Sequence, residues 1–297
     1  MEQSTDNIVL AFQIESSRIR GRLVRLGSTL NSIIARHAYP DLVANLLAES
    51  IALNAGLANV LKFSGIFSLQ IQGDGALPLI VADMTDTGHL RGYSQFTQAK
   101  IEALIKNNKG KKLTVPQIFG KGYLAFTIDQ GPEVDRYQGI VALEGENLAE
   151  SVGHYFKQSE QIDTPVKVAA RKVGNEWRAG LLLLQHLPKE EFEDEAEYQN
   201  NWETALALFS SVTAEELTDP DLPATKLLYR LFHEEGLRLF TPKDLIDKCR
   251  CSRERMHNFL ESLARGERQE LTVDGIIDVK CEFCSRKEIF TAEDFSE

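Results

Sequence analysis

All four cysteines of this 297-residue chain fall near its C-terminus, as Cys249-Arg-Cys251 and Cys281-Glu-Phe-Cys284. Four thiolates are a complete tetrahedral donor set for zinc. A C-x-x-C on a tight turn between strands puts two thiolates on one side of the backbone. A C-x-C can chelate because alternate side chains of extended backbone share a face. Four ligands close the site and leave no open position for substrate or water, so the expected zinc is structural. His257 is a possible substitute ligand, but it falls within an expected helix and four thiolates already suffice. Thiolate is also the form that oxidants attack. Cysteines two or three residues apart can reach the Cα separation of about 4.4–6.8 Å that a disulfide requires. Cys249, Cys251, Cys281 and Cys284 can therefore hold a metal or be oxidised, but not both. Structural zinc supplies roughly 10–16 kcal/mol of apparent binding free energy, against about 5–15 kcal/mol for the stability of a whole domain. Loss of the metal should unfold a small domain built around it.

The quartet needs elements to position it. Thr241-Pro242-Lys243-Asp244 reads as a capped helix start with Pro at the first helical position, and that helix would deliver Cys249 and Cys251 at its end. Ser252 can cap a second helix with Met256, Phe259, Leu260 and Leu263 on one face, stopping at Gly266. Residues 276–280 and 286–290 read as strands flanking the Cys281–Cys284 knuckle. Residues 241–297 thus form the expected zinc-binding domain.

Upstream, residues 188–240 carry 4 basic and 13 acidic side chains, a net charge of −9 within a chain total of −11. This segment opens on the acidic run 189–195. Trp202, Ala205, Leu206, Phe209 and Val212 then recur at helical spacing, and a second helix over 224–234 carries Leu227, Leu228, Leu231 and Phe232. It reads as a charged, partly helical, metastable linker whose apolar stripes need a docking surface that its charge makes easy to leave. Residues 1–187 alternate turn signals with short strands and a few helices, among them a long one from Asp41 to about Phe63. Leu181 to Leu184 reads as a buried strand. The fold class is α+β, mostly antiparallel, with segregated helices.

Composition disfavours several roles. Phosphate binding needs a positive surface, and the acidic balance argues against nucleic acid. No apolar run approaches the ~20 residues that span a bilayer. The N-terminal residues lack a basic and then apolar leader, so a reducing cytoplasm is the expected compartment, where paired cysteines bind metal or do redox chemistry. Gln72-Gly73-Asp74-Gly75 lacks phosphate-loop spacing and reads as a hairpin turn. The scattered histidines offer no Cys-His dyad, and no enzymatic role is expected. Two alternatives stay open: a thiol oxidoreductase using Cys281 and Cys284, which would expect them at a helix start, and a nucleic-acid-binding zinc ribbon.

Beyond the cysteines, the chain resembles the 33 kDa chaperonin family, the redox-regulated heat-shock holdases of bacteria. The resemblance runs through Arg20-Gly21-Arg22, the run from Leu69 to Gly75, Arg91-Gly92-Tyr93, Tyr137 to Val141, Tyr155 to Gln161, Leu184 to Pro188, Leu231 to Glu235 and Cys249 to Arg255. It departs at Ala179-Gly180, where the family often has two glycines, and at Ser285, where it usually has Gly or Asn. The resemblance implies that reduced Cys249, Cys251, Cys281 and Cys284 bind one zinc in an inactive monomer. Oxidation then forms Cys249–Cys251 and Cys281–Cys284 disulfides and releases zinc. The linker and C-terminal domain unfold, and the protein dimerises and holds unfolded client proteins without ATP.

Overall fold

In the computed structural model, which describes residues 6–61, 63–189 and 194–295, the hairpins fall where alternation and turn residues place them. Met1–Thr5 and most of the acidic run, Glu190–Glu193, lie outside the described residues. In chain order the first elements are β1 (Ile8–Ile14), β2 (Ile19–Leu26), α1 (Ser28–Ile34), α2 (Asp41–Ala58), β3 (Ile66–Gly73), β4 (Leu79–Thr85) and β5 (His89–Gln95). Then come α3 (Gln98–Asn108), α4 (Val115–Phe119), β6 (Gly122–Asp129), β7 (Tyr137–Ala142), α5 (Leu148–Tyr155), β8 (Val166–Val173) and β9 (Glu176–His186). The acidic segment supplies α6 (Glu195–Ser211), α7 (Ala214–Thr218) and α8 (Ala224–Phe232). Three short strands follow, β10 (Leu237–Leu239), β11 (Lys243–Asp244) and β12 (Ile246–Asp247).

These strands make two six-stranded sheets, one ordered β10-β1-β2-β9-β8 with β11 beside β1, the other β12-β5-β4-β3-β6-β7. Every pairing is antiparallel except β12 with β5. The fold is α+β, as expected. Helix α2 packs on both sheets and is buried on nearly all sides, which explains why its sequence is apolar all round rather than striped. It ends at Ala58, short of the expected 63.

Strand β9 shows what the first sheet must do. Leu181 and Leu183 enter the core around α2, while Leu182 and Leu184 enter a second core on the opposite face. A strand covered on both faces reads as a continuous apolar run because no side needs to meet water. The second cover is the acidic segment: Trp202, Ala205, Phe209, Val212, Leu217, Leu227, Leu228 and Phe232 pack on Leu10, Phe12, Ile14 and Leu23. The helical stripes of the linker therefore have their docking surface within the chain.

At Gly180 the cover lies directly against the strand. A Cβ at this position would lie 2.2 Å from the carbonyl oxygen of Leu217 in α7. Backbone cannot yield as a flexible side-chain tip would, so the helix must shift. Gly180→Ala is expected to cost roughly 1–3 kcal/mol and to speed amide exchange across Ala214–Thr218 while β2 and β9 stay protected.

No helix begins at Thr241. Leu245 is buried, its N–H bonded to the Asn7 carbonyl at 2.7 Å, and the Ile246 N–H bonds the Gly88 carbonyl at 2.9 Å. These remote strand partners outweigh the local proline signal. The chain divides into compact units after Asp247, so residues 241–247 belong with the sheets and not with the cysteines.

In the second unit, from Lys248 on, helices α9 (Arg253–Ser262) and α10 (Arg265–Glu270) precede a hairpin of β13 (Ile276–Lys280) and β14 (Lys287–Thr291). The expected single helix to Gly266 is thus two. Phe259, placed on its apolar face from the sequence, is instead 59% exposed, because a lone hairpin covers only the narrow Met256–Leu260 stripe.

Candidate metal centre and the docked acidic segment

Cys249 and Cys251 lie in the stretch just before α9, whose start is fixed by the Ser252 hydroxyl accepting from the Arg255 N–H at 3.2 Å. Cys281 and Cys284 lie in the knuckle between β13 and β14, which closes through Cys281 N–H to the Arg286 carbonyl at 2.9 Å and Ser285 N–H to the Cys281 carbonyl at 2.8 Å. Arg253 ties the two halves. Its guanidinium donates to the Ile289 carbonyl at 2.8 Å and the Asp294 carboxylate at 2.7 Å, and it lies 4.4 Å over the Phe290 ring.

The four sulfurs lie within 4.8 Å of one another. Tetrahedral coordination at a Zn–S length of about 2.3 Å separates sulfurs by about 3.8 Å. Cys249 Sγ stands 3.8 Å from Cys281 Sγ, and Cys251 Sγ 3.2 Å from Cys284 Sγ. An all-thiol set of this size fits one zinc ion. His257 is not in the set. Its Nε2 donates to the Asp294 carbonyl at 2.6 Å and its ring stacks on Phe295.

The thiols are not equivalent. Burial pushes Cys249 up, but hydrogen bonds from the Cys251 backbone and from the Cys251, Cys284 and Cys281 thiols outweigh it and hold Cys249 down at about 7. Burial, together with hydrogen bonds shared with Cys284 and Cys249, pushes Cys251 up. Burial and the neighbouring Cys249 charge push Cys281 up. One sulfur is thus ready to act as a thiolate near neutral pH, the form that ligates metal and reacts with oxidant.

The unit has little else to hold it. Among the described residues its buried apolar side chains are Met256, Leu260, Ile277 and Phe290. A unit of about 50 residues with so small a core falls in the range where a metal or disulfide supplies the missing stability. The knuckle itself stores strain, since Ser285 sits at φ +60°, a conformation that costs an L-residue roughly 1–2 kcal/mol. Ser285→Gly should raise the unfolding free energy of the metal-loaded unit by about 1 kcal/mol, read from a denaturant midpoint.

The linker is held by polar contacts that the sequence did not reveal. Lys167 Nζ donates to the carbonyls of Phe209, Ser210 and Val212 at 3.3, 2.9 and 2.6 Å, at the C-terminal end of α6, where a helix favours a cation. Arg25, 2% exposed, donates to the carbonyls of Glu216, at 3.0 Å, and Asp219. Arg171 Nε donates to Thr218 Oγ1 at 2.5 Å. The His186 ring stacks on Tyr198 and Trp202, with centroids 4.0 and 4.5 Å away. The only advance sign was a basic residue every few positions in otherwise apolar strands, which does not say what it faces.

Two largely antiparallel sheets around a buried helix, an acidic helical segment laid on one sheet face, and a separate unit whose four thiols are positioned to hold a metal ion define an α+β protein. Its Cys281 and Cys284 sit between strands, away from the helix start that a thiol oxidoreductase would use. The family model described as Hsp33 protein matches residues 7–291. The 33 kDa chaperonin of Caulobacter vibrioides is 41% identical over 288 residues, covering 95% of this chain and 93% of the relative. That of Pseudomonas syringae pv. syringae is 38% identical over 288 residues, covering 96% and 91%. The crystal structure of the 33 kDa chaperonin from Thermotoga maritima shares the fold with a TM-score of 0.79 at 22% identity, covering 97% of this chain and 96% of that one. The chain belongs to the Hsp33 family of chaperones. No helix among the described residues is long and apolar enough to cross a membrane.

Proposed function

We propose that this chaperone is an ATP-independent holdase of the bacterial cytoplasm, switched on by oxidation of Cys249, Cys251, Cys281 and Cys284. The observation that carries the reading is the sheet face under the linker. Phe12, Leu182, Leu184 and their neighbours form a broad apolar surface covered by a segment with a net charge of −9. That cover is held by apolar contacts and a few cations, and its own charge repels it. Residues 1–187 act as the body, 188–240 as the metastable cover and the cysteine-bearing C-terminal part as the switch.

When bound, zinc holds the sulfurs as thiolates and links the α9 side of the unit to the hairpin. In the switch, Cys249 pairs with Cys251 and Cys281 with Cys284. Each S–S bond formed releases two electrons, which break one peroxide O–O bond; with two protons this leaves two waters. Disulfide sulfurs are poor ligands, so the quartet loses its metal and the small unit loses its main support. The covering segment then leaves the sheet, the exposed apolar face binds unfolded clients, and two chains associate. The reduced, metal-loaded form is an inactive monomer.

The test compares the reduced, zinc-loaded protein with the same protein after peroxide at mildly raised temperature. The readouts are zinc release, free thiols, and light scattering of a denatured client without nucleotide. Oxidation should release zinc and suppress scattering together. Zinc loss with no gain in client protection overturns the proposal, and catalytic turnover of a dithiol would favour an oxidoreductase.

A further inference from the structure

A cleft of about 680 Å³ opens between α2, α4, α5 and the start of β8, within the ~300–1,000 Å³ usual for small-molecule sites. Leu42 and Leu46 of α2, Val115 and Ile118 of α4, and Val166 and Val168 of β8 give it an apolar stretch of wall beside a polar rim. Glu49, one turn beyond Leu46, brings a carboxylate into this lining. Among the described residues no hydrogen bond or ion pair engages that carboxylate. Burial pushes Glu49 up to about 7, and Lys112 acts in the opposite direction.

The other charged groups around the cleft are occupied or exposed. Lys167 Nζ is spent on the α6 carbonyls. The Glu150 carboxylate accepts from the Glu146 N–H and the Asn147 side-chain amide, both at 2.7 Å. Lys111, Lys112, Glu146 and His154 are exposed at the rim. Lys112 lies near enough to be felt, yet forms no ion pair with Glu49. A carboxylate is an acceptor only, and one set in an apolar wall is costly until a cation or donor reaches it.

We propose that this cleft binds a small amphipathic cation, with its ammonium against the Glu49 carboxylate and its apolar tail along Leu42, Leu46, Val115 and Ile118. An anion would meet the Glu49 charge, and a neutral ligand would leave that charge unpaired. A charge-assisted hydrogen bond in a low-dielectric wall is the stronger kind. The site lies on the α2 side of the first sheet, apart from the face covered by α6 to α8, and needs neither the metal nor the switch.

The test titrates the full-length, reduced, metal-loaded protein with n-hexylammonium, hexan-1-ol and hexanoate by ligand-observed NMR. Hexylammonium should bind saturably and at least about tenfold more tightly than the alcohol, and hexanoate least. Its affinity should rise severalfold from pH 6 to pH 8, with the change centred near 7 as Glu49 ionises. Glu49→Gln should remove both the preference and the pH dependence while leaving hexan-1-ol binding unchanged. Lys112→Met should strengthen hexylammonium binding by removing the competing cation. Equal binding of ammonium and alcohol, preference for hexanoate, or no saturable binding overturns the proposal. The wild-type probe comparison and pH profile decide this even if a variant fails to fold.

Discussion

Stripping the metal from the reduced protein with a strong chelator will unfold residues 248–295 and leave the two sheets folded. The second unit buries Met256, Leu260, Ile277 and Phe290, each side chain contributing roughly 1.5–3 kcal/mol. Ordering each residue of backbone costs about 1–2 kcal/mol, so a core of this size does not hold some fifty residues by itself. Zinc bound by four thiolates supplies roughly 10–16 kcal/mol, more than any other contact in the unit. Arg253 and the His257 ring contacts are largely at the surface, where such contacts contribute little. Amide exchange is the measurement: β13, β14 and α9 should lose protection on chelation, and β1 to β9 should keep it. Cys281→Ser should act in the same direction, because three thiolates no longer close the site. A chelated protein whose hairpin amides remain slow would show that the unit folds without its metal.

Phe232→Ala will loosen the acidic cover without any oxidant. Phe232 is fully buried at the end of α8, its ring stacked 5.7 Å from that of Phe12 in β1. Removing a buried phenylalanine costs about 3–5 kcal/mol, and here the loss falls on a segment with thirteen acidic side chains against four basic ones. The reduced, zinc-loaded variant should therefore suppress client aggregation to a large fraction of the oxidised wild-type level. Zinc content should be unchanged, which separates this route from the cysteine route. If the variant stays silent while α6 to α8 exchange rapidly, the covered face is not the client-binding surface.

What was legible in the sequence followed from how local the controlling physics is. The C-x-C and C-x-x-C spacings announce a metal set because each pair chelates within two or three residues, and the four sulfurs do come together. The β1–β2, β6–β7 and β8–β9 hairpins follow from alternation and turn residues. The stripe from Trp202 to Val212 predicted an amphipathic helix, and all but Leu206 of its residues are buried. The failures involve remote partners. Strands β10, β11 and β12 are two or three residues long, and their register comes from β1 and β5, more than 150 residues away in the chain. Lys167, Arg25 and Arg171 find their carbonyl and hydroxyl acceptors only once α6 and α7 lie on the sheet. Glu49 lies within an apolar helix whose cleft is closed by β8, over a hundred residues later. Ser285 was visible as a departure from the family pattern, but its left-handed backbone gives the reason Gly or Asn suits that position.

In the proposed switch, the state of four sulfurs decides whether the segment from Glu195 to Phe232 stays on the first sheet. The most direct measurement is amide exchange across α6, α7 and α8 in the same sample before and after peroxide at mildly raised temperature, with zinc release followed in parallel. Protection in these helices should collapse as zinc is lost, while β1, β2 and β9 remain slow to exchange. Helices α6 to α8 that stay as protected after complete zinc loss and disulfide formation as before would contradict it.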